Sequence, residues 1–491
     1  MKEKYIIAVD QSTTGTKALL IDHNGRILHK CYVEHRQILP KPGWVEHDPV
    51  ELLKNVRTLI NRILTECSLQ GMNIQCIAIT NQRETVLAWD KESGKPVYNA
   101  VVWQCNRAAE QCEHIRELGL EASVKKKTGL PLSEYFSAAK LSWIFDNVPI
   151  AAEMREKGRI LCGTIDSWLV WNLSKEKNHV TDYTNASRTQ LFNINELKWD
   201  DELVAAFGLQ MSMLPRVIPS NSIAGHMEID GCSVPIAGII GDSHGALFAQ
   251  SGMKNAMKVT YGTGSSIMLG TGEKKLNCGK LASTLAYAFN DHVYYAIEGN
   301  INSTGATLKW AADKLGLMTS PSETEEIANN VDSNGGVYFV PAFGGLGAPY
   351  WEPTAKAVIY GLSFDSDKRH VVRAALESIA FQIADVISEL EKSGVTVNDL
   401  YVDGKPTENC FLMKFQSGIT GKKIIKNVIE EASAYGAALM AGLATAYWRT
   451  DEIDGLIRYG ETVLPEMDES ERKTLLYGWH EAIKASIGNN K

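Results

Sequence analysis

The chain lacks paired cysteines. Its nine cysteines stand at 31, 67, 76, 105, 112, 162, 232, 278 and 410 of 491 residues. No two have C-x₂-C spacing and none has histidine partners at zinc-site spacing, which excludes a zinc finger or ribbon and argues against a disulfide scaffold. Free buried thiols in a reducing cytosol are expected, so the predicted location is cytoplasmic. No apolar run reaches membrane-spanning length. Met1-Lys2-Glu3-Lys4 leads straight into a strand pattern, and no signal peptide is expected. Positive charge is also in short supply. Lys and Arg total 50 against 58 Asp and Glu, a net charge of −8, which leaves no electrostatic footprint for nucleic acid or an anionic membrane. The only tight basic run, residues 125–127, reads as a solvated helix end. Low-complexity linkers are missing, so composition marks no domain boundary.

What is present suits a folded chain of at least two large domains: 44% hydrophobic and 22% charged residues over a length too great for one ordinary core. Residues 5–22, YIIAVDQSTTGTKALLID, read as a β-hairpin. An apolar run ends in Asp10, a turn of small residues follows (Ser12, Thr13, Thr14, Gly15), and a second apolar run begins beyond Lys17. A turn rich in N–H groups and hydroxyls with little bulk permits close approach to a phosphate chain. Asp10, at a strand end, can hold Mg²⁺ directly or through water. Alone, such a turn is more often only a turn. Residues 258–270, KVTYGTGSSIMLG, repeat the pattern around Thr263 and Gly264. The echo suggests a duplicated domain gripping a phosphate between its copies, with the halves at 1–250 and 251–491.

Further along, Asp48 suits an N-cap, with Pro49 in the first turn and Glu51 placed for a capping box. Residues 76–80 predict a buried strand delivering Arg83 and Glu84 to a loop, where an adjacent donor and acceptor can bind a polyhydroxy compound or simply form a surface salt bridge. Residues 101–104 predict a strand ending in Trp103 and Gln104, an apolar wall for a polyol pocket or ordinary core. Residues 181–189 are hydroxyl-rich and read as loop. A strand at 234–240 runs into Gly241-Asp242-Ser243-His244, where the start of a helix keeps a carboxylate ionised. Asp242 is the candidate general base, against the commoner role of a helix N-cap. Residues 301–312 predict a helix with Gly305 inside it. Residues 433–446, rich in small residues, suit close helix packing.

The stretches PKPGWVEHDP, ITNQRET, YNAVVWQCNR, TDYTNASRT, PAFGGLGAPYWEP and ALESIAFQ make the chain resemble the FGGY family of carbohydrate kinases almost end to end, most closely its glycerol kinase branch. Both family signatures match, at residues 135–147 and 357–377. The resemblance implies an α/β protein of two duplicated ribonuclease-H-like domains, of the actin and hexokinase type, around a central cleft. It implies ATP-dependent phosphorylation of a terminal hydroxyl of a small polyol, with ATP and Mg²⁺ as cofactors, and it leaves a dimer or tetramer open. By the resemblance Asp242 is the catalytic base, and Asp10, with Asp242, serves the metal. Arg83, Glu84, Trp103 and Tyr135 match substrate contacts, while Thr14, Lys17, Thr263, Gly305, Gly404 and Asn409 fall on the nucleotide side. Lys17 replaces the usual Arg.

Departures from the pattern concern the substrate. Where glycerol kinases read Gly-Asp-Gln-Gln this chain reads Gly-Asp-Ser-His, so Ser243 replaces a Gln ligand. Ser266 replaces an aromatic pocket wall. A larger, wetter pocket is expected, one that could admit a tetritol, pentitol or ketose, with glycerol kept open by the other contacts. Lys405 replaces a glycine near the adenine position. A short loop before Val234, without the Arg and His used for control in some relatives, predicts neither form of regulation. A non-catalytic polyol and nucleotide sensor on the same fold is the competing class, disfavoured by retention of both Asp10 and Asp242.

Overall fold

The structure is a computed structural model and describes residues 3–488. Two large sheets organise the chain, and their strands are numbered here in chain order. The first comprises β1 (Tyr5–Gln11), β2 (Gly15–Ile21), β3 (Ile27–Glu34), β4 (Ile74–Asn81), β5 (Ile223–Ile229) and β6 (Cys232–Gly241), in the order β5-β6-β4-β1-β2-β3. The second comprises β7 (Met257–Tyr261), β8 (Ser265–Gly272), β9 (Ala282–Phe289), β10 (His292–Ile301), β11 (Asp399–Asp403), β12 (Lys423–Asn427) and β13 (Tyr459–Val463), in the order β13-β12-β11-β7-β8-β10-β9.

The second order repeats the first. In each sheet a hairpin (β1–β2, β7–β8) adjoins two parallel strands and an antiparallel edge strand. The duplication inferred from two short hairpins therefore extends through six strands of each sheet, with β9 an addition to the second. A smaller four-stranded sheet, Glu46–His47, Ala100–Val101, Val86–Asp90 and Ile160–Thr164, is attached to the first half.

Helices cover the sheets where the sequence alternates apolar and polar at helical spacing. Helix α1 (Pro49–Glu66) buries Leu52, Val56, Leu59, Ile60 and Ile63 on the first sheet. Its Asp48 cap accepts from the Val50 N–H at 2.8 Å. Glu51 does not complete a capping box, because its carboxylate accepts from the Arg36 N–H instead. The hydroxyl-rich segment expected to be loop forms a short strand, Val180–Asp182, and a helical turn, Tyr183–Ala186, that Asp182 caps. Beyond Val101 the chain turns rather than continuing as strand, so Trp103 sits on a loop.

Two helices join the halves. Helix α2 (Asp242–Ser251) leaves the end of β6, and α6 (Ala432–Ala444), though late in the chain, packs on the first sheet. One apolar cluster unites Ile6 and Ala8 of the first sheet, Leu247 and Phe248 of α2, Ala437 and Met440 of α6, and Met268 and Ala296 of the second sheet. The small-residue run at 433–446 explains how close α2 and α6 lie: a Cβ on Gly436 would sit 1.9 Å from the Gly245 carbonyl oxygen. Gly436→Ala is therefore expected to force the helices apart and cost about 2–3 kcal/mol, seen as a lower Tm in calorimetry.

Candidate active site at the interdomain cleft

Both hairpin tips behave as small-residue turns held by their own backbone. Ser12 N–H and Oγ both donate to the Gly15 carbonyl at 2.9 Å. Thr13 is fixed from outside: its carbonyl accepts from His35 and Gln37, and its hydroxyl accepts from Trp103 Nε1 at 2.9 Å. Thr14 is exposed. In the second hairpin, Thr263 is exposed and Gly264 half-buried, and the carbonyls of Gly262 and Thr263 accept from the Gly305 and Ala306 N–H groups at 3.0 and 3.1 Å. Gly305 is thus not interior to a helix. It is the first residue of α3 (Gly305–Asp313), where a Cβ would lie 2.8 Å from the Gly262 oxygen.

Gly404 holds φ +97° beside β7, where a Cβ would meet the Tyr261 oxygen at 2.0 Å, a conformation and clearance only glycine provides. Lys405, next to it, is exposed. A long helix, α4 (Lys368–Lys392), and α5 (Cys410–Thr420) complete this half. Asn409 caps α5 through the Leu412 N–H and donates to Thr324 Oγ1, so its side chain is already engaged.

Asp10 stands one residue before the end of β1, and Asp242 directly follows β6. Asp242 is one-third exposed and is the first helical residue rather than the cap, which is Gly241. Its Oδ1 accepts from the Ser243 N–H at 2.6 Å and from Arg83 Nε at 3.1 Å. Asp10 is 5% exposed with Oδ1 unpartnered. Burial pushes its carboxyl up to about 7, Lys17 pulling it back while Asp242 and Glu431 push it further. Lys17 pairs with Glu431 at 2.6 Å, just ahead of α6.

Arg83 and Glu84 are not a surface pair. Both are buried, and each finds its partner from a distant segment. Arg83 Nη2 donates to Glu298 at 2.8 Å and to Ser243 Oγ at 3.1 Å. Arg188 Nε donates to Glu84 at 2.6 Å, and Arg188 also pairs with Glu298. Burial alone would raise the Glu298 carboxyl, but Arg188 and Arg83 outweigh it and hold it far below the usual glutamate range. Burial likewise opposes the Arg83 charge, and Glu298, Glu84 and Asp242 restore it. Trp103 and Tyr135 meet edge-to-face at 5.5 Å and supply an aromatic wall.

Two further groups lie here. Lys258, 1% exposed, donates to Ser266 Oγ at 3.2 Å, and burial brings its ammonium down to about 8. His244 is fully buried with both ring nitrogens unpartnered, and burial, reinforced by Arg83, holds it neutral, far below its usual value.

The structure thus brings together Asp242, Arg83, Ser243 and Ser266, and separately Thr13, Trp103 and Tyr135, while Glu84 faces Arg188. Arg188, Glu298 and Lys258 went unmarked in the sequence. A signal existed for Glu298, a lone charge in the otherwise apolar strand YYAIEG, and for Arg188, inside TDYTNASRT.

The N-terminal domain profile of the FGGY family of carbohydrate kinases matches residues 5–249, and the C-terminal domain profile matches residues 257–445. The chain belongs to this family. Full-length relatives include glycerol kinase 2 of Thermotoga maritima, 45% identical over 99% of this chain and 100% of that one. Glycerol kinase 1 of Clostridium tetani is 45% identical over 99% of both. Among solved structures, Plasmodium falciparum glycerol kinase with ADP superimposes with a TM-score of 0.93 at 36% identity, covering 99% of this chain and 98% of that one. A ligand-bound xylulose kinase from Lactobacillus acidophilus, 21% identical with a TM-score of 0.88 and covering 99% and 100%, shares the fold. This FGGY kinase is an ATP-dependent phosphotransferase acting on a small sugar or polyol, with ATP and Mg²⁺ as cofactors. Among the described residues no helix is long and apolar enough to cross a membrane.

Proposed function

We propose that this kinase transfers the γ-phosphoryl group of ATP to a terminal hydroxyl of a small polyol, in the manner of a glycerol kinase, forming glycerol 3-phosphate from glycerol. The observation that carries the reading is the pair Asp10, near the end of β1, and Asp242, directly after β6, the two strands that flank β4, in a chain with two small-residue hairpin turns and 45% identity throughout to glycerol kinases. Phosphoryl transfer has a loose transition state, so position and charge neutralisation supply most of the catalysis.

In this reading Asp242 takes the proton from the acceptor hydroxyl. Arg83, Glu84, Trp103, Tyr135, Ser243 and Ser266 hold the acceptor. Ser12, Thr13, Thr14 and Lys17 from one hairpin, and Thr263, Gly264, Gly305, Gly404 and Asn409 from the other half, form the nucleotide side. The buried, unpartnered Asp10 Oδ1 suits a divalent cation, and Asp10 with Asp242 would hold Mg²⁺. With two carboxylates at most from the protein, the remaining ligands would be substrate phosphate oxygens and water. A Mg²⁺ ion held there would neutralise charge on the phosphates of ATP. We divide the chain at 250/251 and place it in the cytoplasm, where its ATP is supplied.

One observation favours a larger acceptor. Ser243 and Ser266, on opposite sides of the cleft, approach to 3.3 Å as bare hydroxyls, a small polar surface where the glycerol kinase pattern has an amide and an aromatic ring. ADP release should be measured with Mg-ATP and glycerol, erythritol, threitol, ribitol, xylitol, xylulose and ribulose. The highest kcat/KM for glycerol is expected if the serines are tolerated. A clear win by a four- or five-carbon compound would reassign the substrate, and silence with ATP binding intact would favour a non-catalytic sensor.

A further inference from the structure

Lys140 is a fully buried cation in the first turn of the helix Ser137–Asn147, just beyond Tyr135 and Phe136. Two things oppose a charge there. Burial strips water from the ammonium, and the start of a helix carries a partial positive charge of its own. Backbone oxygen offsets both. Helical side chains lean toward the N-terminus, and Lys140 Nζ reaches back to donate to three successive carbonyls: Glu134 at 2.9 Å, Phe136 at 2.8 Å, and Tyr135 between them. An ammonium has three protons and no lone pair, so every proton has a carbonyl and the group is saturated.

Those carbonyls belong to the segment that walls the acceptor pocket. The Tyr135 ring meets Trp103 edge-to-face at 5.5 Å, and the Phe136 ring lies 5.1 Å from the Arg188 guanidinium. At the helix start Ser137 Oγ donates to the Glu84 carbonyl at 3.2 Å. The turn therefore touches the aromatic wall, the Arg188 network and the Arg83–Glu84 loop. The Tyr135 N–H donates to Ser133 Oγ at 3.2 Å, within the same loop, whereas Lys140 ties that loop to the helix.

We propose that Lys140, as an ammonium, is a positioning residue for the acceptor: by gathering the carbonyls of residues 134–136 it holds the Tyr135 ring where it walls the pocket. A neutral amine would keep only two protons and turn a lone pair toward the third carbonyl, loosening the turn. Burial brings the ammonium down to about 7, opposed by Glu84, Cys105, Cys112 and Glu134, which favour the charge. The other charges at this corner are Arg188, over the Phe136 ring, and Arg107, whose Nε donates to Cys105 Sγ at 3.0 Å. The charged form is complete on the acid side and is lost as the pH rises through that value. Acceptor binding should weaken in the same direction, opposite to any effect of Asp10, whose ionised form grows with pH. The inference rests on the polyol kinase reading above and adds a positioning residue to it.

The test measures KM for the acceptor and for ATP separately, with Mg-ATP and glycerol or xylulose. It uses the parent, Lys140→Met, Tyr135→Ala and the double variant. Lys140→Met should raise the acceptor KM about tenfold, the upper end of what one hydrogen bond supplies, and leave the KM for ATP unchanged. In the Tyr135→Ala background the same change should add less than about twofold, because the ring through which Lys140 acts is gone. An equal rise in both KM values, or the full effect without the Tyr135 ring, would overturn the proposal and leave Lys140 a structural cation. In the parent the acceptor KM should climb between about pH 6 and pH 9, spanning the titration of the buried ammonium, while the KM for ATP does not rise. In Lys140→Met that climb should vanish. The parent series needs no variant, so a flat acceptor KM across the range overturns the proposal even if Lys140→Met folds poorly. Phosphorylation of neither acceptor by the parent would remove the polyol kinase reading and this inference with it, a result distinct from turnover with an unmoved acceptor KM.

Discussion

Asp242→Asn is expected to lower kcat by about 10²–10⁴-fold, the usual contribution of a positioned general base, with little change in fold or acceptor binding. The geometry explains the separation. Asp242 Oδ1 accepts from the Ser243 N–H and from Arg83 Nε, and an Asn oxygen can accept both. What Asn cannot do is take a proton from the acceptor hydroxyl. Coupled measurement of ADP release gives the rate, and calorimetric titration with acceptor or nucleotide gives the binding. Retention of more than about one-tenth of the parent kcat, outside the range a general base supplies, would assign proton removal elsewhere. Loss of binding and turnover together would mean that Asp242 mainly supports the site.

Arg188→Met is expected to be the most damaging substitution for stability, costing about 3–5 kcal/mol. Arg188 is 1% exposed and pairs with Glu84 and Glu298, each 2% exposed. Methionine fills similar space over the Phe136 ring, where the guanidinium lies 5.1 Å from the ring centre, yet it leaves Glu84 without its cation and Glu298 with Arg83 alone. Removing one partner of a buried ionic network costs far more than the network contributes net, because the stranded charges have lost water as well. Since Glu298 joins the second half to Arg83 and Arg188 of the first, the apparent KM for the acceptor should also rise.

A pH signature accompanies that loss. In the parent, Glu298 is held below its ordinary value of 4.5, so its stabilisation is complete above that pH and lost as the pH falls toward the depressed value. Arg188→Met should shrink this acid-side dependence in calorimetric scans. An unchanged Tm and an unchanged acid limb would show that the network tolerates the gap.

The two hairpins, the amphipathic α1 and the small-residue α6 are written locally. Each depends on the period of apolar residues or on a few turn residues in sequence, and each forms where the pattern places it. Asp242 was legible for the same reason, as a carboxylate between an apolar strand and a helix start. The early end of the strand before Trp103 and the short helix at Tyr183–Ala186 were not, because elements of a few residues are held by tertiary contacts rather than by propensity.

The chain by itself therefore determines two copies of one β-hairpin unit, two turns able to approach phosphate, and a carboxylate beside one of them. Tertiary structure alone decided what surrounds that carboxylate. Arg83, Arg188, Glu298 and Lys258 come from four separate segments, and their charges are tolerable in the interior only because folding sets each beside an opposite charge or a hydroxyl. A charged residue carries no local mark of its future partner. Its burial is a property of the assembled cleft.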